Sequence, residues 1–261
     1  MIEIPKIDCS KTKDEIIDFI QQKVKNANAQ GVVVGLSGGI DSTLTAFLTC
    51  EAIGPENVLG VIMPSHTTPE EDTLHGQKLG KLLNIDYKIV EIDSVLDNIL
   101  QLTKENENKQ SIGNLKARIR MSILYYFGNN RNYLVGGTGN KSEILIGYFT
   151  KFGDGASDFE PIGKLYKTQV WQLSSYLKIP TEIIDKPPRA GLWNNQTDEE
   201  EIGMNYEQLD KILYLYNDKN ITEEKISKYL DIPLQDVSKI VLRCKNNEHK
   251  NKIPETPGNQ L

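Results

Sequence analysis

Cysteine and histidine are scarce in these 261 residues, with three of each. Cys9, Cys50 and Cys244 stand far apart, form no CxxC pair and match no zinc spacing. An odd, scattered set reads as reduced thiols of a cytoplasmic protein, with Cys50 packed in an apolar helical pattern. No apolar run reaches ~18 residues, so no membrane span is expected. The N-terminal stretch has no basic region followed by an apolar one, so it does not read as a signal peptide. Positive charge is also short: 30 Lys and Arg face 36 Asp and Glu, a net charge of −6, with a pI near 5.3. That balance argues against broad attraction to nucleic acid or anionic membrane, so an anionic ligand must be met by local basic groups. No internal repeat or low-complexity tract is visible.

What the chain has is alternation. Residues 12–29 read as an amphipathic helix with Ile16, Ile17, Ile20 and Val24 on one face. Val32-Val33-Val34-Gly35-Leu36 is a short continuous apolar run rich in β-branched residues, the pattern of a strand buried on both faces of a parallel sheet. After the loop 37–42, residues 43–53 suit a helix stopped by Gly54-Pro55. Strands are predicted at 58–63, 87–92 and 133–136, and helices at 69–83, 93–102, 112–127 and 141–146. This order implies a parallel sheet with helices on both faces. Beyond about residue 154 strand signals stop. Helices are predicted at 168–177, 206–216, 222–230 and 234–246, a polar loop with a helical turn at 194–204, and a loose tail over 253–261.

The most informative segment is Gly35-Leu36-Ser37-Gly38-Gly39-Ile40-Asp41-Ser42, between a buried strand and a helix. Adjacent glycines let the backbone turn tightly and present N–H groups without Cβ interference. The following helix aims its free N–H groups and positive dipole end at the same point, which makes a phosphate cradle. Asp41 suits a bridging Mg²⁺ rather than bare phosphate; on a surface loop, its replacement by Asn is expected to move stability little. No Gly-Lys-Ser/Thr follows, so this is not a Walker A loop, and it is not the dinucleotide GxGxxG fingerprint. A second Gly-rich loop, Gly136-Gly137-Thr138-Gly139-Asn140-Lys141-Ser142-Glu143, follows the fourth strand and enters a helix. Ligands of open α/β sheets sit at such strand ends.

The first loop resembles the pyrophosphatase loop of the N-type ATP pyrophosphatases. The second loop adds to the likeness, with Gly147-Tyr148-Phe149-Thr150-Lys151-Phe152-Gly153-Asp154-Gly155, Asp158-Phe159-Glu160-Pro161-Ile162, Leu165-Tyr166-Lys167-Thr168-Gln169-Val170 and Gly113-Asn114-Leu115-Lys116-Ala117-Arg118. Together these strings are similar to ammonia-dependent NAD synthetase, from about Lys13 to Lys250. The resemblance implies an α/β, adenine nucleotide alpha hydrolase-like fold: an open parallel sheet of about five strands with helices on both faces and a helical C-terminal portion. It would be one domain, with a nucleotide core at about 30–165 and helices at about 166–250.

The resemblance also implies roles. Gly35, Leu36, Ser37, Gly38, Gly39, Ile40, Asp41, Ser42, Thr138 and Lys167 would contact ATP. Asp41 and Glu143 would bind Mg²⁺. Arg118, Lys151, Asp158, His249 and Lys250 would bind nicotinic acid adenine dinucleotide (deamido-NAD). Asp41 and Lys167 would carry catalysis, in which the nicotinate carboxylate is adenylated and ammonia displaces AMP. A homodimer with the dinucleotide site at the subunit interface is implied. With no room for an amidase domain, free ammonia is the expected nitrogen source unless a separate glutaminase subunit delivers it.

One position departs from the family pattern. After Lys186-Pro187-Pro188, where a small hydroxyl residue contacting ATP is usual, this chain has Arg189. Arg189 either reaches phosphate itself, or points away to solvent or to an acid in Asp198–Glu201. A helix-turn-helix-like spacing at 222–233 reads as two packed helices, because the acidic balance argues against DNA. A tRNA-thiolating relative would want a basic surface and paired cysteines. A passive nucleotide binder would not need paired metal carboxylates.

Overall fold

The computed structural model describes residues 3–105, 108–193, 196–254 and 256–257. Helix α1 (Cys9–Asn26) starts earlier than its apolar periodicity, because the Asp8 side chain accepts the Lys11 N–H at 3.1 Å and caps it. The first βα unit is β1 (Gly31–Gly35) and α2 (Ile40–Ile53). Helix α2 begins three residues before the expected start, so Asp41 and Ser42 lie in its first turn; its N-cap is Gly39, which has no side chain to signal it. A short 3₁₀ turn at Pro55–Asn57 leads to β2 (Val58–Ile62), α3 (Glu70–Leu82), β3 (Asp86–Ile89) and α4 (Asp93–Thr103). Then come α5 (Lys109–Arg131), β4 (Tyr133–Gly136) and α6 (Lys141–Ile146). At 23 residues α5 outruns the expected 112–127: Asn108 caps its start, and Asn132, in a left-handed conformation, ends it.

The sheet is parallel in the order β3-β2-β1-β4. Among the described residues it has four strands, where about five were expected. The next position beside β4 is filled by an isolated parallel bridge, Gly136 to Phe159, because the chain at 157–161 turns away after one pairing. Period-two alternation divides the core. Val32 and Val34 pack with Leu44 and Leu48 of α2 on one face, while Val33, Leu59 and Val61 meet Ile123, Leu124 and Phe127 of α5 on the other.

The remainder is helical: α7 (Lys167–Tyr176), α8 (Thr181–Ile184), α9 (Asp198–Ile202), α10 (Tyr206–Leu213) with a π turn at Tyr214–Asp218, α11 (Glu223–Leu230) and α12 (Leu234–Asn247). The helical turn expected within 194–204 is α9; Asn194 and Asn195 lie outside the described residues, as does most of the tail expected to be loose. Leu209, Ile212, Ile226, Val237, Ile240 and Val241 form a second core with Ile146 of α6. The apolar faces of α11 and α12 are consumed there, as two packed helices require. Burying each such side chain contributes about 1.5–3 kcal/mol, enough to fix the lobe against α6.

Candidate active site

The loop after β1 folds back on itself. Leu36 N–H still pairs with Val61 O at 2.9 Å. The Ser37 N–H then reaches Ser42 Oγ at 3.3 Å, and Ser42 Oγ–H donates to Gly39 O at 3.1 Å. Gly38 has φ +74°, and a Cβ there would lie 2.4 Å from Asp72 O. Glycine is therefore required for both conformation and space.

The second loop is braced differently. Asn140 caps α6 by accepting the Glu143 N–H at 3.0 Å, and Glu143 returns a bond to the Asn140 N–H. The buried Asn140 amide also donates to Asp41 Oδ1 at 3.0 Å, tying the two loops together. Lys167, at the first position of α7 and 1% exposed, places its ammonium between them. It pairs closely with Asp41 and lies 3.5 Å from Glu143 Oε1. Asp210 secures this start of α7 by accepting the Thr168 N–H at 2.8 Å and the Ser142 hydroxyl, whose oxygen in turn accepts the Lys167 N–H at 2.9 Å.

A ring of tyrosines closes the far side. Tyr206 donates to Asp198 at 3.2 Å and lies 3.5 Å from Glu143, while Tyr148 donates to Glu201 at 2.8 Å, with Asp198 3.1 Å from the same hydroxyl. Burial works against the Lys167 charge, but Asp41, Glu143 and Asp198 outweigh it and hold the ammonium protonated well above its ordinary range. Burial, with Asp41 and Asp198 adding to it, raises the Glu143 carboxyl despite Lys167. Asp41 is thus the close anionic partner of the buried ammonium, with Glu143 and Asp198 adding to the field that holds it charged. Among the described residues no three His, Cys, Asp or Glu side chains converge as a metal cage. The carboxylates of Asp41 and Glu143, which meet at Lys167, are the kind of donor a hard cation such as Mg²⁺ would take, one or two of them with water and substrate phosphate completing its shell.

Arg189 does not pair with an acid in Asp198–Glu201. Its guanidinium contacts Glu71 and, at 2.7 Å, Asp72 Oδ1, because α3 brings its acidic first turn against the first loop. Lys186 shares Asp72 and donates to Gly38 O at 3.0 Å. Arg189 Nε is buried without a hydrogen-bond partner among the described residues, and the residue borders a cavity of about 360 Å³ that also touches Gly35, Leu36, Ser37 and Thr138.

Four of the five residues expected to meet the dinucleotide are drawn together by the loop after α6. Arg118 donates to Lys151 O at 3.3 Å, Lys151 to His249 O at 2.6 Å, and Lys250 to Gly147 O at 2.7 Å and Phe149 O at 2.9 Å. Lys151 and Lys250 border a second cavity of about 620 Å³, with Thr138 and Glu143. Asp158 stands apart from this group: it accepts the Val135 N–H at 2.7 Å and the Tyr125 hydroxyl at 3.3 Å. Sequence reasoning gave no role to Lys186, Asn140, Tyr148, Tyr206 or Asp210, and offered Asp198 only as a partner for Arg189. Lys186 had a signal, being the cation before two prolines, whereas a tyrosine starting a helix reads as core.

A parallel α/β sheet with two glycine loops meeting at a lysine and two carboxylates defines a nucleotide-binding protein with an α/β nucleotide-hydrolase-like fold. Residues 12–254 match the family described as NAD synthase. The chain is 51% identical to the NH(3)-dependent NAD(+) synthetase of Methanocaldococcus jannaschii over 94% of this chain and 95% of that one. Among solved structures, it is similar to NMN synthetase from Francisella tularensis, at 33% identity and TM-score 0.87 over 97% and 100% of the two chains. It is also similar to NH3-dependent NAD synthetase from Campylobacter jejuni, solved with nitrate, at 39% and 0.82 over 96% and 99%. The chain belongs to the NAD synthase family.

Proposed function

We propose that this chain amidates deamido-NAD to NAD with ATP and ammonia, releasing AMP and pyrophosphate. The observation that carries the reading is the convergence of Asp41, Glu143 and Lys167 from three separate elements beside the two loops. Ser37, Gly38, Gly39 and Ser42 receive the phosphates on backbone N–H groups and hydroxyls at the start of α2. Asp41 and Glu143 are the residues that would hold Mg²⁺, which when bound supplies positive charge for the phosphate oxygens. Lys167 stays protonated because of its carboxylate neighbours, and so offers a fixed positive charge to a developing pyrophosphate.

The nicotinate carboxylate oxygen attacks the α-phosphorus and pyrophosphate leaves. Ammonia then attacks the acyl carbon, AMP leaves, and the nitrogen gives up a proton to form the amide. Arg118, Lys151, His249, Lys250 and Asp158 bind and orient the dinucleotide, Arg189 borders ATP, and the working unit is a homodimer. Positioning and charge neutralisation supply much of the acceleration.

The test is turnover of the purified chain with ATP, Mg²⁺, ammonium and deamido-NAD. NAD, AMP and pyrophosphate should appear in equal amounts, and pyrophosphate release should depend on the dinucleotide. Release without the dinucleotide, or none with it, overturns the reading. The likeness to NMN synthetase favours one second reading, with nicotinic acid mononucleotide as the acceptor. The ratio of kcat/KM for the two acceptors decides between them.

A further inference from the structure

The geometry points to Glu160 as the positioning residue that holds the loop Gly137-Thr138-Gly139 in the shape that receives ATP, an inference that rests on the function proposed above. The loop is tied at two points to the segment that bridges β4. Gly137 N–H donates to Phe159 O at 2.9 Å, and Gly139 N–H donates to Glu160 Oε2 at 2.9 Å. The other Glu160 oxygen accepts the Ser157 hydroxyl at 2.9 Å. The loop wraps the carboxylate so tightly that a Cβ on Gly137 would lie 2.2 Å from Glu160 Oε1.

Between the two ties Thr138 faces both cavities. A glycine on either side leaves this backbone with little stiffness of its own, so its shape must come from partners. The position matters because Asn140 follows at once: its amide holds Asp41, and its cap fixes Glu143. Releasing Gly139 therefore loosens Thr138, Asn140 and, through Asn140, Asp41. Burial pushes the Glu160 carboxyl up to about 7. A neutral side chain of the same length thus suits the site, and reach rather than charge holds the loop.

The test compares Glu160→Gln, which keeps reach and loses charge, with Glu160→Asp, which keeps charge and falls a methylene short of Gly139. Glu160→Ala removes both. Calorimetric titration with ATP and Mg²⁺ in the absence of dinucleotide reads the loop without relying on turnover, so failure of the proposed reaction is seen separately in the unmutated chain. Glu160→Gln should bind ATP within about threefold of the parent. Asp and Ala should weaken it about tenfold, the upper range of one ordinary hydrogen bond. In kinetics KM for ATP should rise in the Asp variant while KM for deamido-NAD holds. ATP binding as weak in Gln as in Asp, or unchanged in Asp, overturns the proposal. The Gln and Asp pair decides even where the Ala variant fails to fold.

Discussion

Lys167 is the residue on which site and stability meet. Its ammonium is almost wholly buried and relies on Asp41, with Glu143 at 3.5 Å. The sequence places Asp41 on a surface loop, where an isostere would move stability little. The structure corrects that: Asp41 is the close partner of a buried charge from 126 residues away. Asp41→Asn should abolish pyrophosphate release and also lower stability by about 2–4 kcal/mol, because breaking a buried pair strands the remaining ion. Thermal melting beside a pyrophosphate assay checks both, and an unchanged melting temperature refutes the pairing. Glu160 gives the pH counterpart. Its carboxyl rises from the usual 4.5 to about 7 when folded, so the native state holds more protons than the unfolded state between those values. Its contribution is fully present below the unfolded value and is lost as pH rises through the folded one. The advantage of Glu160→Gln over the parent should therefore grow by up to about 3 kcal/mol from pH 4.5 to 8. Denaturant melts across that range measure it, and a difference independent of pH is the contrary result.

Among the elements, α7 shows how a helix start becomes catalytic geometry. Asp210, on α10, satisfies the Thr168 N–H and the Ser142 hydroxyl, so it locks α7 against α6 and sets where Lys167 points. In Asp210→Asn one of the two accepting oxygens becomes an NH₂ donor, and it meets a serine that must now redirect its proton. Stability should fall by about 1–2 kcal/mol, and kcat should fall more than KM for ATP, since Lys167 acts on the leaving group. Equal changes in both constants would mean that the cap does not steer Lys167. The elements themselves were largely legible, because buried parallel strands and amphipathic helices write their periods into sequence. The two loops were legible from their glycines and their place after strands. Helix starts were less so: α2 begins on a backbone cap, and α5 is extended by Asn108 and ended by Asn132. The Tyr148–Asp198–Tyr206 ring, Asp210 and the Asp72–Lys186–Arg189 cluster were not legible. Several of their contacts join positions dozens to more than a hundred residues apart, and no local pattern marks such pairs.

For the whole molecule, the informative surface is the outer stripe of α5. Its inner face covers the sheet through Ile123, Leu124 and Phe127. Arg118, Ser122 and Tyr126 recur every four residues on a single exposed stripe, with Tyr126 67% exposed. Arg118 bonds the carbonyl of Lys151, and the neighbouring Phe152 is 54% exposed. In the homodimer proposed above, these two exposed aromatics are the face expected to meet the second copy. In a two-fold pair each side chain appears twice, so one substitution acts on the interface from both sides. Tyr126→Glu should cost the folded monomer little, since exposed substitutions move stability by about 0.5 kcal/mol or less. Against a partner it would place a carboxylate in an apolar contact on each subunit, which is strongly unfavourable. Light scattering after size exclusion should therefore give about 59 kDa for the parent, twice the 29.4 kDa chain, and the single-chain mass for the variant. Activity should fall with the dimer and return in part at high protein concentration. A variant that remains a dimer, or a parent that is monomeric and fully active, would take this face out of the reaction and leave Tyr126 as an ordinary surface residue.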